Sequence, residues 1–137
     1  MSLDFILSID QGTTASTALI LALSQDHKVK VIAKASHDFP QYYPQEGWVE
    51  HDLDEIWVSV QKACQKAIKK ARELEASFDP KKILSIGITN QRESFGFWER
   101  KTSKPCRRAI VWQCRRSTQI CQTLKEENLE SFVHKKT

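Results

Sequence analysis

Asp10-Gln11-Gly12-Thr13-Thr14 gathers a carboxylate, a glycine and two hydroxyls between two apolar runs, Phe5-Ile6-Leu7-Ser8-Ile9 and Ala18-Leu19-Ile20-Leu21-Ala22-Leu23. Both runs read as strands, which makes the five residues a hairpin tip. These residue types at a strand end suit a ligand carrying metal and phosphate. Gly12 permits positive φ and close backbone approach, and turn N–H groups together with threonine hydroxyls donate to phosphate oxygens. Asp10 would hold Mg²⁺ directly or through water, as hard cations prefer oxygen ligands. A plain polar turn is the alternative, because Asp, Gly and Thr are common in turns for conformational reasons alone.

The second cluster is Asn90-Gln91-Arg92-Glu93, which follows the apolar run Ile83-Leu84-Ser85-Ile86-Gly87-Ile88-Thr89. A guanidinium beside a carboxylate at a strand end can bracket a ligand with several hydroxyls: Glu93 accepts and Arg92 donates from a planar fork. The competing reading is a surface ion pair worth about 0–1 kcal/mol. Trp112 also ends a strand-like run, Ala109-Ile110-Val111-Trp112. It either stacks on the carbon side of a polyol or sits in the core with its N–H satisfied. Arg115 and Arg116 oppose the dipole of the helix they begin, so they answer carboxylates such as Glu93 or face an anion. The chain has no G-x-x-x-x-G-K-[ST], G-x-G-x-x-G, H-x-E or G-x-S-x-G, so any phosphate binding falls to the hairpin.

The elements that must position these residues are readable from periodicity. A third strand, residues 30–35, completes an antiparallel meander with the two hairpin strands. Residues 37–48 carry two prolines, a glycine and several aromatics, which predicts a long, structured loop. Asp52-Leu53-Asp54-Glu55 resembles a capping box with acidic residues at a helix start. Behind it Ile56, Val60, Ala63, Cys64, Ala67, Ala71 and Leu74 mark one buried face. Lys62, Lys66, Lys69 and Lys70 lie largely off that face. A solvated surface suits them better than a nucleic-acid stripe, which would interleave aromatics. Near-continuous apolarity predicts that residues 83–89 form a central strand covered on both faces, ending where open α/β sheets place ligands. Ser94-Phe95-Gly96-Phe97-Trp98 and residues 109–112 read as further strands. A last helix covers residues 115–128 with Ile120, Cys121 and Leu124 inward. The expected order is β-β-β-α-β-β-β-α, a mixed α/β domain.

Length and composition fit this picture. A chain of 137 residues is the size of one domain and buries about two-thirds of its unfolded surface. Hydrophobic content of 40% and charged content of 28% are those of a soluble globular chain. The start, Met1-Ser2-Leu3-Asp4, lacks a basic n-region, and no run is long enough to span a bilayer. A cytoplasmic chain is expected, with no membrane and no nucleic acid among its partners. Cys64, Cys106, Cys114 and Cys121 show no C-x-x-C spacing, so neither zinc nor a disulfide framework is indicated. Cys64 and Cys121 read as core fillers. The net charge of +4 tolerates an anionic ligand without implying nucleic acid.

Four blocks carry a family resemblance: Ile9-Asp10-Gln11-Gly12-Thr13-Thr14, Gly47-Trp48-Val49-Glu50-His51-Asp52, Gly87-Ile88-Thr89-Asn90-Gln91-Arg92-Glu93 and Ile110-Val111-Trp112-Gln113-Cys114-Arg115-Arg116. Together they resemble the bacterial glycerol kinases, carbohydrate kinases of actin-like, ribonuclease H-like fold, in register over essentially the whole chain. The resemblance implies ATP and Mg²⁺ as cofactors, with Asp10 helping to hold the metal and Thr13 and Thr14 meeting the phosphates. It implies that Arg92 and Glu93 hydrogen-bond glycerol while Trp112 packs on its carbons. The reaction implied is transfer of the γ-phosphoryl of ATP to glycerol, giving sn-glycerol 3-phosphate in glycerol catabolism. The family usually continues the hairpin as Thr-Thr-Ser-Ser-Arg. Here Ala15 and Thr17 occupy the nucleotide-facing places of a serine and the arginine, which implies weaker ATP or ADP binding. Residues 1–137 correspond to an incomplete N-terminal domain. The catalytic base, a tyrosine contact to glycerol and the adenine-holding second domain belong to later parts of the family's chain. The family forms homo-oligomers. An isolated span of this kind is expected to be inactive, and a non-catalytic remnant with weak or no polyol and phosphate binding is the competing reading.

Overall fold

The computed structural model describes residues 4–26 and 28–136. The reading placed on Met1, Ser2 and Leu3 concerns residues outside the described ones, and His27 and Thr137 lie outside them as well. Alternating small and branched apolar residues build the first three strands, β1 (Asp4–Gln11), β2 (Ala15–Leu23) and β3 (Val29–Asp38). They pair antiparallel as the expected meander. Period-2 alternation decides their faces: Phe5, Leu7, Ile9, Ala18, Ile20, Ala22, Ala33 and Ala35 are all buried on one side. After a two-residue strand, β4 (Glu50–His51), the chain enters α1 (Leu53–Leu74).

Asp52 caps α1 by accepting from the N–H groups of Asp54 and Glu55, which satisfies two of the donors every helix start leaves open. Ser59, Ala63, Ala67 and Ala71 press the helix onto the sheet, and small side chains there allow the close approach. Cys64 packs against this core as expected. Leu74 does not: it is exposed at the end of the helix. Lys62, Lys66, Lys69 and Lys70 are exposed, and Lys70 reaches back to the carbonyl of Lys34.

A 3₁₀ turn (Pro80–Lys82) leads into β5 (Ile83–Asn90), which pairs parallel to β1. The sheet order is β3-β2-β1-β5. This overturns the expectation of a central, doubly covered strand. Among the described residues β5 is an edge, and Leu84, Ile86 and Ile88 are 66%, 59% and 72% exposed. The reason is reach: α1 packs on β3, β2 and β1 and stops short of β5. A groove of about 420 Å³ remains between them, lined by Ile9, Trp57, Val60, Ile88, Phe95 and Trp98 among others.

The segment 94–98 is not a regular strand. It makes isolated bridges, Phe95 to Ile110 and Trp98 to Pro105, while β6 (Ala109–Ile110) pairs with β4. The expected final helix is two shorter ones, α2 (Thr118–Glu126) and α3 (Glu130–His134). Asn128 breaks them apart with φ 59°, a left-handed conformation that ends helices. Ile120, Cys121 and Leu124 are exposed rather than inward, because neither helix packs on the sheet. No helix among the described residues is long and apolar enough to cross a membrane.

Candidate functional site

The parallel neighbours β1 and β5 end side by side, with Gln11 opposite Asn90 and the N–H of Gln91 donating to the Gln11 carbonyl at 2.8 Å. This brings the two clusters of the sequence to one rim. β1 runs to Gln11 and β2 starts at Ala15, so the hairpin tip is Gly12, Thr13 and Thr14, and Asp10 stands in the strand before it. Gly12 does not use positive φ. Its role is close approach: its N–H bonds the Ala15 carbonyl at 3.0 Å, and a Cβ there would lie 3.0 Å from that oxygen.

Asp10 is exposed and pairs with Thr17 on β2 and Thr89 on β5. Paired residues point to one face, so Asp10, Thr17 and Thr89 share the sheet face away from α1. Ala15 belongs to that face as well, two residues before Thr17. The Thr17 hydroxyl is already engaged with the Ser36 hydroxyl at 2.9 Å, while Ser16 on the other face is buried against Ser59 at 2.7 Å. Thr14 is exposed, and its carbonyl is held by the N–H of Phe39 at 3.3 Å.

Trp112 reaches the hairpin. Its indole N–H donates to the Thr13 hydroxyl at 3.0 Å, although 99 residues separate the two. With Trp112 54% exposed, the core-tryptophan reading fails and the side chain stays open at the rim. The indole N–H is a donor only, so the Thr13 hydroxyl accepts from it and keeps its own proton for a ligand acceptor. Arg92 and Glu93 are exposed and form no ion pair with each other among the described residues. Glu93 has φ 58°, the left-handed region where a non-glycine residue costs of order 1–3 kcal/mol and which recurs at binding sites.

Arg116 answers a carboxylate, but it is Glu50 at 2.7 Å and not Glu93. Its guanidinium also lies over the Trp48 ring at 3.9 Å and donates to the Cys114 sulfur. Arg115 stays exposed, its N–H bound to the carbonyl of Gly47 at 2.7 Å. Gly47 adopts φ +71° there, and a Cβ would meet that of Arg115 at 3.3 Å.

The sequence reading missed the polar residues beneath the rim. His51 is fully buried, edge-on to Phe39. Its Nε2 lies 2.6 Å from Gln41 Oε1 and its Nδ1 3.2 Å from Gln91 Nε2. Gln41 also donates to the Thr13 carbonyl at 3.0 Å, and Ser94 donates to Gln91 Oε1 at 3.0 Å. Burial alone holds His51 below its ordinary pKa. Its neighbour Asp52 carries a clear capping signal in sequence. His51 stands in one of the four resemblance blocks, but no periodicity or spacing marks it as a buried hydrogen-bonding residue.

A carboxylate, threonine hydroxyls, an open aromatic side chain and an arginine beside a glutamate thus lie together around the ends of β1 and β5, a set able to donate to and accept from a ligand rich in oxygen. Residues 5–137 match the model of the "FGGY family of carbohydrate kinases, N-terminal domain", and the chain belongs to that family. It is 44% identical to the glycerol kinase of Halothermothrix orenii over 137 residues, covering 100% of this chain and 26% of that one. The glycerol kinase of Leptospira biflexa is 47% identical over 134 residues, covering 98% and 25%. The chain thus spans about a quarter of the length of these curated relatives. Among solved structures, a gluconate kinase from Lactobacillus acidophilus superposes with a TM-score of 0.80 at 22% identity, over 98% of this chain and 25% of that one. Plasmodium falciparum glycerol kinase with ADP gives 0.71 at 30% identity, over 90% and 23%. The fold is the actin-like, ribonuclease H-like one of these kinases, here a partial domain.

Proposed function

We propose that this chain forms the phosphate-and-polyol side of an ATP-dependent glycerol kinase. The observation that carries the reading is the Trp112–Thr13 hydrogen bond of 3.0 Å, which joins the residue suited to polyol carbons to the hairpin suited to phosphate. Arg92 and Glu93 hydrogen-bond the glycerol hydroxyls, and Trp112 covers the carbons. Thr13 donates its free hydroxyl proton to a phosphate oxygen, with Thr14 beside it at the tip. Mg²⁺ arrives with ATP as substrate. A single carboxylate, Asp10, fits it, since Mg²⁺ is commonly held by one or two carboxylates, phosphates and water. Among the described residues no group of three or more metal-ligating side chains forms a resident metal site.

General-base catalysis needs a group within hydrogen-bond reach of the attacking hydroxyl. Glu93 serves binding in this reading, so the isolated chain binds without transferring phosphoryl. A non-catalytic remnant with weak or no polyol and phosphate binding is the second reading, favoured by the Thr17 hydroxyl being paired with Ser36 and by Ala15. Calorimetric titration of the purified chain with glycerol and with Mg-ATP separates the two: heats with both ligands are expected, and silence with both selects the remnant. An assay with ATP, Mg²⁺ and glycerol is expected to yield no glycerol 3-phosphate, and product would overturn the inactive-span reading.

A further inference from the structure

Six residues close a ring beneath the rim, and the chemistry of its donors gives that ring a direction. The backbone N–H of Trp112 can only donate, and it donates to the Ser94 hydroxyl at 3.2 Å. Ser94 therefore turns its own proton to Gln91 Oε1 at 3.0 Å. Gln91 is left with its amide protons, which reach Gln11 Oε1 at 3.3 Å and His51 Nδ1 at 3.2 Å. Nδ1 must then be bare, so the proton of a neutral imidazole sits on Nε2, 2.6 Å from Gln41 Oε1. Gln41 passes the direction on to the Thr13 carbonyl at 3.0 Å. The indole of Trp112 closes the circuit at the Thr13 hydroxyl.

We propose that His51 is a positioning residue, held as the neutral Nε2–H tautomer, whose two hydrogen bonds tie the seat of Trp112 to the seat of Thr13. The His51 ring is hydrogen-bonded to Gln41 and Gln91 and not to Trp112 or Thr13. It acts through Gln41, which holds the hairpin tip, and through Gln91 and Ser94, which hold the backbone of Trp112. A closed network with every member satisfied is rigid, and opening it leaves buried groups unpaired. Under the proposed function the ring sets the spacing between the polyol and the phosphate it receives. In that respect the inference rests on that reading.

The test uses the ligand-free chain. Long-range ¹⁵N spectra of His51 are expected to show protonated Nε2 and bare Nδ1, and the opposite tautomer or a charged ring at pH 7 overturns the proposal. His51→Phe keeps a flat ring against Phe39 and removes both polar atoms, whereas His51→Gln restores one donor and one acceptor. The expected result is that the indole N–H resonance of Trp112 and the amide resonance of Thr13 move in His51→Phe and return in His51→Gln. A folded His51→Phe with both resonances unmoved sinks the idea. Should that variant fail to fold, the tautomer of the unaltered chain decides. A chain that binds neither Mg-ATP nor glycerol counts against the proposed function and leaves these readouts standing.

Discussion

Thr17 shows how a hydroxyl can stand at a rim with a neighbouring side chain already bonded to it. It shares a face with Asp10, but its oxygen is paired with Ser36. The family resemblance implies an arginine there. In this chain Thr17→Arg is expected to tighten Mg-ATP binding about tenfold, because a hydrogen bond to a charged group nets about 1.5–3 kcal/mol and each 1.4 kcal/mol is tenfold. Calorimetric titration measures it, and an unchanged affinity argues against the hairpin as the nucleotide seat. Glu93 makes the complementary point. Its left-handed backbone is a conformation that residue type alone does not foretell. It turns the chain after β5 so that Ser94 lies within reach of Trp112.

At the scale of elements, burial separates strands that look alike in sequence. Ile20 on β2 is 0% exposed and Ile88 on β5 is 72% exposed. Ile20→Ala is expected to cost about 2–5 kcal/mol by removing packed methyl groups and leaving a cavity. Ile88→Ala should stay within about 0.5 kcal/mol, as surface changes do. Denaturant melts of the two variants check this, and equal losses would mean that β5 is packed in solution. Nothing in the run Ile83–Thr89 distinguishes an edge from a centre. The apolar side chains describe a strand able to be covered on both faces, and only the reach of α1 decides which faces are covered.

For the molecule as a whole, the buried imidazole links the network to pH. Burial lowers the His51 pKa below the ordinary 6.5, and burial with Lys66 and Lys62 lowers that of His37 against the pull of Asp38. Above 6.5 the native and unfolded chains are both neutral at these sites. As pH falls through 6.5 the unfolded chain takes the protons first, so stability drops until the native pKa values are passed. The Tm is expected to be lower at pH 5.5 than at pH 7.5, with a smaller difference in His51→Gln and in His37→Gln. A Tm difference between those pH values that is no smaller in His51→Gln than in the unaltered chain contradicts the assignment of a neutral buried His51.

What sequence alone determined is what lies within a few residues along the chain: the hairpin, the Asp52 cap, the period-2 faces of the meander and the two polar clusters at strand ends. Local sterics and hydrogen bonding set these, and their signals repeat at the spacing of strand or helix. Tertiary structure decided what depends on distant partners. It joined Trp112 to Thr13 and Gln91 to His51, gave the Thr17 hydroxyl to Ser36, left β5 at the edge and turned Ile120 and Leu124 outward. Pairings across 40 to 99 residues carry no periodicity. Such contacts exist only once β1 and β5 lie side by side and β4 meets β6.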